Sequence, residues 1–385
     1  MRLFLLRFKA CSRILMKTKN RVFIKTSSSL SCVGANNRDL FANICQGKSG
    51  IKQDKEYFFD ASPAIGKFSS VQSFEEGLIS QIQSILNQSQ LKDFTETLLI
   101  IGSSVGGMQR SEEIFLQEKN YQKINPNFHH IHAISNMISK HFTFYDSLSF
   151  STACTSSANA LGYAHEVLSK GLYQNVLVVG ADSLSKTTVG GFLTLGVLSS
   201  TKAQPFDKER QGMNVAEGIA CLLLDTKPSL DSVEICAVGY SSDAHHIAHP
   251  HPQGEGAITA MSQALKRAGL ESQEIDYINA HGTGTQANDH AEAHAITTLF
   301  PHRPFVSSTK AITGHTLGAS GALEAIVSSL CILEQKVPIN AFLNEAENEN
   351  INLLRETKET RVNYVLSNSF AFGGNNCSLI FGRVK

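Results

Sequence analysis

Short apolar runs rich in Val, Ile and Leu alternate with longer stretches of helical period along this chain. Runs that stay apolar at consecutive positions belong to strands covered on both faces, so the pattern predicts an α/β protein with mostly parallel strands. Strands are expected at residues 98–102, 149–152, 175–180, 219–225, 232–239, 275–280, 304–308, 364–367 and 377–381, after an opening strand at 21–25. Helices fit residues 156–170, 256–268, 288–299 and 318–334. Set side by side, the stretch up to 225 and the stretch from 232 repeat one order of elements, βαβαβαββ, although not the same letters. The repeat divides the chain into a basic N-terminal extension at 1–19, a first half at 20–228 and a second half at 229–385. Functional residues are expected where strand C-terminal ends of the two halves meet.

A chain of 385 residues exceeds what a single hydrophobic core usually covers, which agrees with two halves. Its 42% hydrophobic and 18% charged residues, with 28 Gly and 9 Pro, suit a packed globular enzyme and exclude collagen-like or disordered classes. Lys and Arg balance Asp and Glu at 34 each, so no basic excess points to nucleic acid. A charged residue interrupts every apolar run well short of the roughly 18–20 residues of a membrane span, and none is expected. The balance hides one asymmetry: Arg2, Arg7, Lys9, Arg13, Lys17 and Lys19 fall in the first 19 residues without an acid. Arg7 breaks the apolar run there, which reads as an extension outside the fold rather than a secretory signal. Eight cysteines without a CxxC pair suit a reducing cytoplasm and are expected as small buried hydrophobes, Cys154 excepted.

Four segments carry candidate chemistry. Phe150-Ser-Thr-Ala-Cys154-Thr-Ser-Ser-Ala-Asn159 runs from a strand through a turn into a helix. A thiol at that junction meets free N–H groups and the positive end of the helix dipole, which favour thiolate. Two readings stand for it: a nucleophile, or a filler of a turn in which Thr155, Ser156 and Ser157 cap the helix. Tyr277-Ile-Asn-Ala-His281-Gly-Thr283-Gly-Thr285 ends a strand in a histidine and continues into a Gly/Thr turn open to a polar chain such as an amide. Ser307-Ser-Thr-Lys310-Ala-Ile-Thr-Gly314-His315 puts a lysine and a second histidine on one loop, ahead of a helix containing Glu324. Ser367-Asn-Ser-Phe370-Ala-Phe372-Gly-Gly-Asn-Asn376 offers Phe372 as a mobile gate whose backbone N–H faces an oxyanion, with core packing as the alternative for either Phe. The run with His245, His246, His249 and His251 lies in a Pro-rich loop without zinc-ligand spacing, so no metal is expected. No phosphate-cradling motif is present.

In this order and at these separations the four segments resemble the elongating β-ketoacyl-acyl carrier protein synthases of the thiolase superfamily. Pro205-Phe-Asp-Lys-Glu-Arg-Gln-Gly212 and Ser242-Asp-Ala-His-His246 match further stretches of that family, and the likeness spans residues 20–385. The resemblance implies a thiolase fold, a five-layered αβαβα arrangement of two βαβαβαββ halves, found as dimers. It implies that Cys154 accepts the acyl group, that His281 and His315 are the paired histidines, and that Lys310 organises them with Glu324 as partner. Thr283 and Thr285 match the threonines that hold the phosphopantetheine arm, with Phe370 and Phe372 beside the acyl group and Asp289 as structural support. No cofactor of its own is implied, because phosphopantetheine arrives on the acyl carrier protein. That carrier is acidic as a class, and Lys208 and Arg210 are candidates to meet it, with a plain solvated loop as the alternative.

The resemblance has departures. The opening strand lacks the glycine-rich turn usual in housekeeping members, and Thr155, His245 and Asn375 differ from their common residues. These differences lean toward synthases of aryl polyenes or related polyketide-like chains, which often act beside a chain-length-factor subunit. A catalytically silent partner subunit of that kind is the alternative function, and such subunits generally lack the nucleophilic Cys. Cys377 stands on a strand in Asn-Asn-Cys-Ser, unlike the second catalytic cysteine of thiolases, and is expected in the core.

Overall fold

Successive residues of single strands face different apolar layers. In the strand Thr97–Gly102, Leu98 and Ile100 join one cluster, while Leu99 and Ile101 join another. Strand Tyr364–Phe370 does the same with Val365 and Leu366. Period-two side chains apolar on both faces require a sheet covered on both sides. The computed structural model, which describes residues 20–54, 62–71, 73–229 and 231–384, has that cover. The expectations for residues 1–19 lie outside the described residues.

Ten strands make the main sheet: β1 Phe23–Ser31, β2 Thr97–Gly102, β3 Asp146–Phe150, β4 Asn175–Asp182, β5 Gly218–Asp225, β6 Val233–Ser242, β7 Tyr277–Asn279, β8 Phe305–Ser307, β9 Tyr364–Phe370 and β10 Asn375–Arg383. Their spatial order is β8-β7-β9-β10-β6-β1-β5-β4-β2-β3. Counted outward from the centre, the first half runs β1-β5-β4-β2-β3 and the second β6-β10-β9-β7-β8, the same order shifted by five strands. Each half pairs its first three strands antiparallel and its last three parallel. The halves join through two register pairs, Phe23↔Glu234 and Ile24↔Val233. The repeat of element order is thus a repeat of topology.

Helices Ser156–Ser169 and Ser320–Glu334 lie between the two five-stranded halves of the sheet, and their Ala158, Leu161, Ala322 and Ile326 share one cluster with residues from both. Phe74–Gln88 and Ala133–Ile138 cover the outer face of the first half, through Leu78, Ile82 and Ile134. Glu255–Ala268 and Gln286–Leu299 cover the second, through Met261, Leu265 and Ile296. These are the five layers of the thiolase fold. Leu317–Glu334 has the length and mean hydropathy, 1.4, of a bilayer span, yet 83% of it is buried inside the protein, where it is the middle-layer helix.

Several element ends shift from their expected places. The opening strand runs Phe23–Ser31, past Lys25 and through a polar tract whose hydroxyls find partners: Ser29 Oγ donates to Asn37 Oδ1 at 2.7 Å. The strand expected at 149–152 is Asp146–Phe150, because the backbone turns sharply at 151–155. The helix expected at 318–334 opens with a tight 3-10 turn at Leu317–Ala319 before Ser320–Glu334.

Candidate active site

β2 ends in Gly102, where a Cβ would fall 2.4 Å from Ser157 Cα, so only bare backbone lets the helix Ser156–Ser169 approach the end of the sheet. Between β3 and that helix the chain passes through Ala153 at φ 53°, a left-handed conformation uncommon for a residue with a Cβ. Hydroxyls pin this turn. Ser156 Oγ donates to Ala153 O at 2.6 Å and accepts from Thr152 N at 3.0 Å, and Thr155 Oγ1 donates to Thr152 O at 2.7 Å. They do not cap the helix as expected, since Thr155 at the cap makes no side-chain cap bond. Ser157 Oγ instead accepts from Ala322 N at 2.9 Å, tying the two middle-layer helices together.

The turn delivers Cys154 into a pocket shared with His281, His315, Thr283, Thr285, Phe370 and Phe372. Cys154 follows β3 of the first half; His281 follows β7 and His315 follows β8 of the second. The strand-end expectation therefore holds: His315 Nε2 lies 3.1 Å from Cys154 Sγ, and the two imidazole centroids are 5.3 Å apart at 86°. Leu317 N donates to His315 Nδ1 at 3.2 Å, with Ser320 Oγ 2.9 Å from the same nitrogen. An accepting Nδ1 assigns the ring proton to Nε2, the nitrogen facing the sulfur. Burial, then the Lys310 charge, hold both histidines well below the usual imidazole range, with His315 acting further on His281. Both rings are neutral donors at physiological pH.

Lys310 and Glu324 form a buried ion pair beneath the histidines, as the resemblance implied. Burial pushes Glu324 up to about 7 against the pull of Lys310. The thiol departs from expectation. Burial, joined by the Asp182 charge, pushes Cys154 up to about 12, more than Lys310 and the backbone N–H groups of Cys154 and Phe372 draw it down. Cys154 is only half-buried by exposure, yet this desolvation outweighs the helix start and favours the thiol over the thiolate.

The Thr283 and Thr285 hydroxyls bond each other at 2.9 Å in the pocket wall. Their turn needs Gly284 at φ 82°, where a Cβ would also meet Gly212 O at 2.8 Å. Asp289 supports it from the helix start, accepting from Gly284 N at 3.1 Å and from Phe206 N at 2.8 Å. Phe370 is buried against the His281 ring at 6.0 Å between centroids. Phe372 is half-buried, 6.4 Å from the Phe192 ring. Cys377 is fully buried on β10, in the core.

Arg210 requires a correction. Its side chain is 0% exposed and cannot meet a carrier protein. It donates to Thr285 O at 3.2 Å, Gln286 O at 2.9 Å and Asp207 O at 2.8 Å, and pairs with Glu347 at 2.6 Å and Asp289 at 3.7 Å. An arginine in a polar loop reads as solvated, and partners so distant in sequence become visible only when folded. Arg210→Met is expected to destabilise the protein by about 3–5 kcal/mol, because it removes the cation facing buried Asp289 and the donor to the Thr285, Gln286 and Asp207 carbonyls. A thermal melt that matches wild type while carrier KM rises would restore the surface reading. Lys208 is exposed and ion-paired with Glu345.

Sequence reading missed Glu292 and Ser320. Glu292 accepts from His281 N and Gly282 N, both at 2.8 Å, and from Asn368 Nδ2 at 3.1 Å, fixing the loop that carries the histidine. Its signal was its place three residues after Asp289, on the helix face turned to the Gly/Thr loop. Phe192 and Met213 also line the pocket without having been singled out. In the histidine-rich loop, His246 Nδ1 and His249 Nδ1 are 3.0 Å apart, and no group of three potential metal ligands gathers among the described residues.

The chain matches the family described as Beta-ketoacyl synthase, N-terminal domain, over residues 82–229, and its C-terminal domain over 233–344. It is 32% identical to the 3-oxoacyl-[acyl-carrier-protein] synthase 2 of Coxiella burnetii, covering 95% of this chain and 99% of that one. It is 30% identical to the enzyme of the same name from Vibrio cholerae, covering 95% and 100%. Among solved structures it superposes on a ketosynthase (ApeO) in complex with its chain length factor (ApeC) from Xenorhabdus doucetiae, with TM-score 0.85, 30% identity and coverage of 95% and 98%. With its thiol and imidazole pair in one pocket of this fold and a buried lysine paired to Glu324 close by, the chain belongs to the beta-ketoacyl synthase family.

Proposed function

We propose that Cys154, His281, His315 and Lys310 carry out decarboxylative Claisen condensation on acyl carrier protein thioesters. The chain is an acyltransferase-type condensing enzyme, a β-ketoacyl-acyl carrier protein synthase of fatty acid or polyketide synthesis. The 3.1 Å approach of His315 Nε2 to the Cys154 sulfur, across the two halves, carries this reading. In the first stage sulfur attacks the acyl thioester carbonyl carbon. The backbone N–H groups of Cys154 and Phe372, which face the sulfur, donate to the oxyanion. The carrier sulfur leaves as its thiol, taking up the proton that Cys154 loses. In the second stage the malonyl C–C bond breaks, releasing CO2 and leaving its electron pair in an enolate. His281 and His315 donate N–H bonds to the enolate oxygen. The enolate carbon then attacks the acyl-enzyme, Cys154 leaves as a thiolate and regains its proton from solvent, and the product is a β-ketoacyl chain two carbons longer on its carrier.

Thr283 and Thr285 are suited to hydrogen-bond the phosphopantetheine amides, and Phe372, between the pocket and the tandem glycines, to gate the acyl site. Gly373 and Gly374, at φ 84° and 79°, supply the hinge. Lys208 remains the candidate carrier contact. The likeness to a ketosynthase that works with a chain length factor supports a second thiolase-fold subunit, identical or different, as partner. The silent-subunit alternative is disfavoured by an intact thiol and imidazole pair. The test presents purified protein, with and without candidate partner subunits, with acyl carriers and malonyl carrier protein, and weighs the products. A β-ketoacyl carrier supports the reading; unchanged substrates under every pairing contradict it.

A further inference from the structure

The last residue of β4, Asp182, is fully buried and touches none of the groups assigned above to bond making. Its carboxylate nevertheless gathers donors from both halves. Ser103 Oγ at 2.5 Å, Ser104 N at 2.9 Å and Val105 N at 3.0 Å reach it from the loop after β2, and Gly318 N at 2.6 Å reaches it from the loop after β8. A buried carboxylate with this many donors is a fixed anchor, since losing it would strand several N–H groups at once. Each side leads to a strained turn. Ser104 Oγ donates to Ala153 O at 2.9 Å, and Ala153, at φ 53°, precedes the nucleophile. Gly318 follows Leu317, at φ 51°, and Leu317 N donates to His315 Nδ1, the contact that assigns the proton to Nε2. Two non-glycine residues in left-handed conformation persist only where their surroundings over-determine them.

We propose that Asp182 is a positioning residue that ties the Cys154 turn to the His315 turn, holding sulfur and Nε2 in register across the two halves. This rests on the condensing reaction described above. Asp182 acts through Ser104 and Gly318, its charge also helps to push the Cys154 thiol up, and it meets no substrate. Its carboxylate bonds to Ser103, Ser104, Val105 and Gly318 and not to the Thr283–Thr285 turn, so its loss is expected to change turnover and not carrier affinity. The two links are separable. Ser104→Ala removes only the hydroxyl bond to the Cys154 turn, leaving the Ser104 N–H on the carboxylate. Asp182→Asn leaves one accepting oxygen for four donors and points an NH2 at N–H groups, which loosens both turns.

The half-reactions are measured separately: single-turnover acyl transfer from an acyl carrier to Cys154, and CO2 release from malonyl carrier protein. Ser104→Ala is expected to slow acyl transfer about tenfold and to leave decarboxylation within about twofold. Asp182→Asn is expected to slow both by about thirtyfold or more, with carrier KM within about twofold. Asp182→Asn with both rates near wild type overturns the proposal, as does Ser104→Ala that slows both half-reactions equally or neither. Should Asp182→Asn fail to fold, Ser104→Ala decides alone, because a selective loss of acyl transfer is not produced by general destabilisation. Wild-type protein that performs neither half-reaction overturns the condensing function, and this proposal with it; a normal wild type with unaffected variants overturns the proposal only.

Discussion

Cys154→Ala abolishes condensation, lowering turnover by about 10⁴-fold or more, because no other described group in the pocket can form the acyl thioester. The same variant keeps CO2 release from malonyl carrier protein. In the proposed mechanism that step uses the imidazole N–H donors, and both histidines retain their supports: Ser320 and Leu317 N on His315, and Glu292 beneath the His281 backbone. Removing the sulfur takes away one neighbour of His315 Nε2 and leaves the Nδ1 contacts that orient the ring. The comparison of product formation with 14CO2 release in one preparation checks this. Residual condensation at a tenth of the wild-type rate would mean that another group accepts the acyl chain.

His281→Ala produces the complementary loss. Removing one of two preorganised donors to a developing oxyanion costs about 10²–10³-fold, so decarboxylation falls by that factor. Acyl transfer falls by about tenfold at most, because its oxyanion sits on backbone N–H groups and the thiol keeps His315 at 3.1 Å. The low position of both imidazoles on the pH scale has a further consequence. Burial and the Lys310 charge keep them neutral, so protonating a histidine does not limit decarboxylation near pH 7. Single-turnover rates for the two steps, measured on His281→Ala, give the ratio directly. Equal losses in both steps would remove the enolate role from His281.

Much of this site was legible in the sequence because its residues follow strands, and strands buried on both faces announce themselves as consecutive apolar runs. Thr97–Gly102 and Gly218–Asp225 are of this kind, and the repeated order of elements placed Cys154, His281 and His315 at strand ends that converge. The opening strand was cut short because Thr26, Ser27, Ser28 and Ser29 look like loop. In the fold they lie along β5 from Leu223 to Ala220, with Ser28 and Ser29 bonded to Gln81 and Asn37. Side-chain type misled in the same way at Arg210, whose charge is satisfied by Glu347, Asp289, the nearby Asp207 carbonyl and two carbonyls of a distant segment. The state of the thiol was hidden for a different reason. A helix start is a local feature that sequence displays, whereas the burial that outweighs it depends on the second half closing over Cys154.

In the proposed reaction Cys154, His281 and His315, separated by up to 161 residues, serve one condensation, and the acyl intermediate on Cys154 can be weighed. Rapid-quench mass spectrometry of the intact protein after mixing with an acyl carrier should show one added acyl group. Peptide mapping should assign it to Cys154, and a chase with malonyl carrier protein should discharge it as β-ketoacyl carrier. An acyl group that maps to another residue, or one on Cys154 that the malonyl chase leaves in place, would contradict the account.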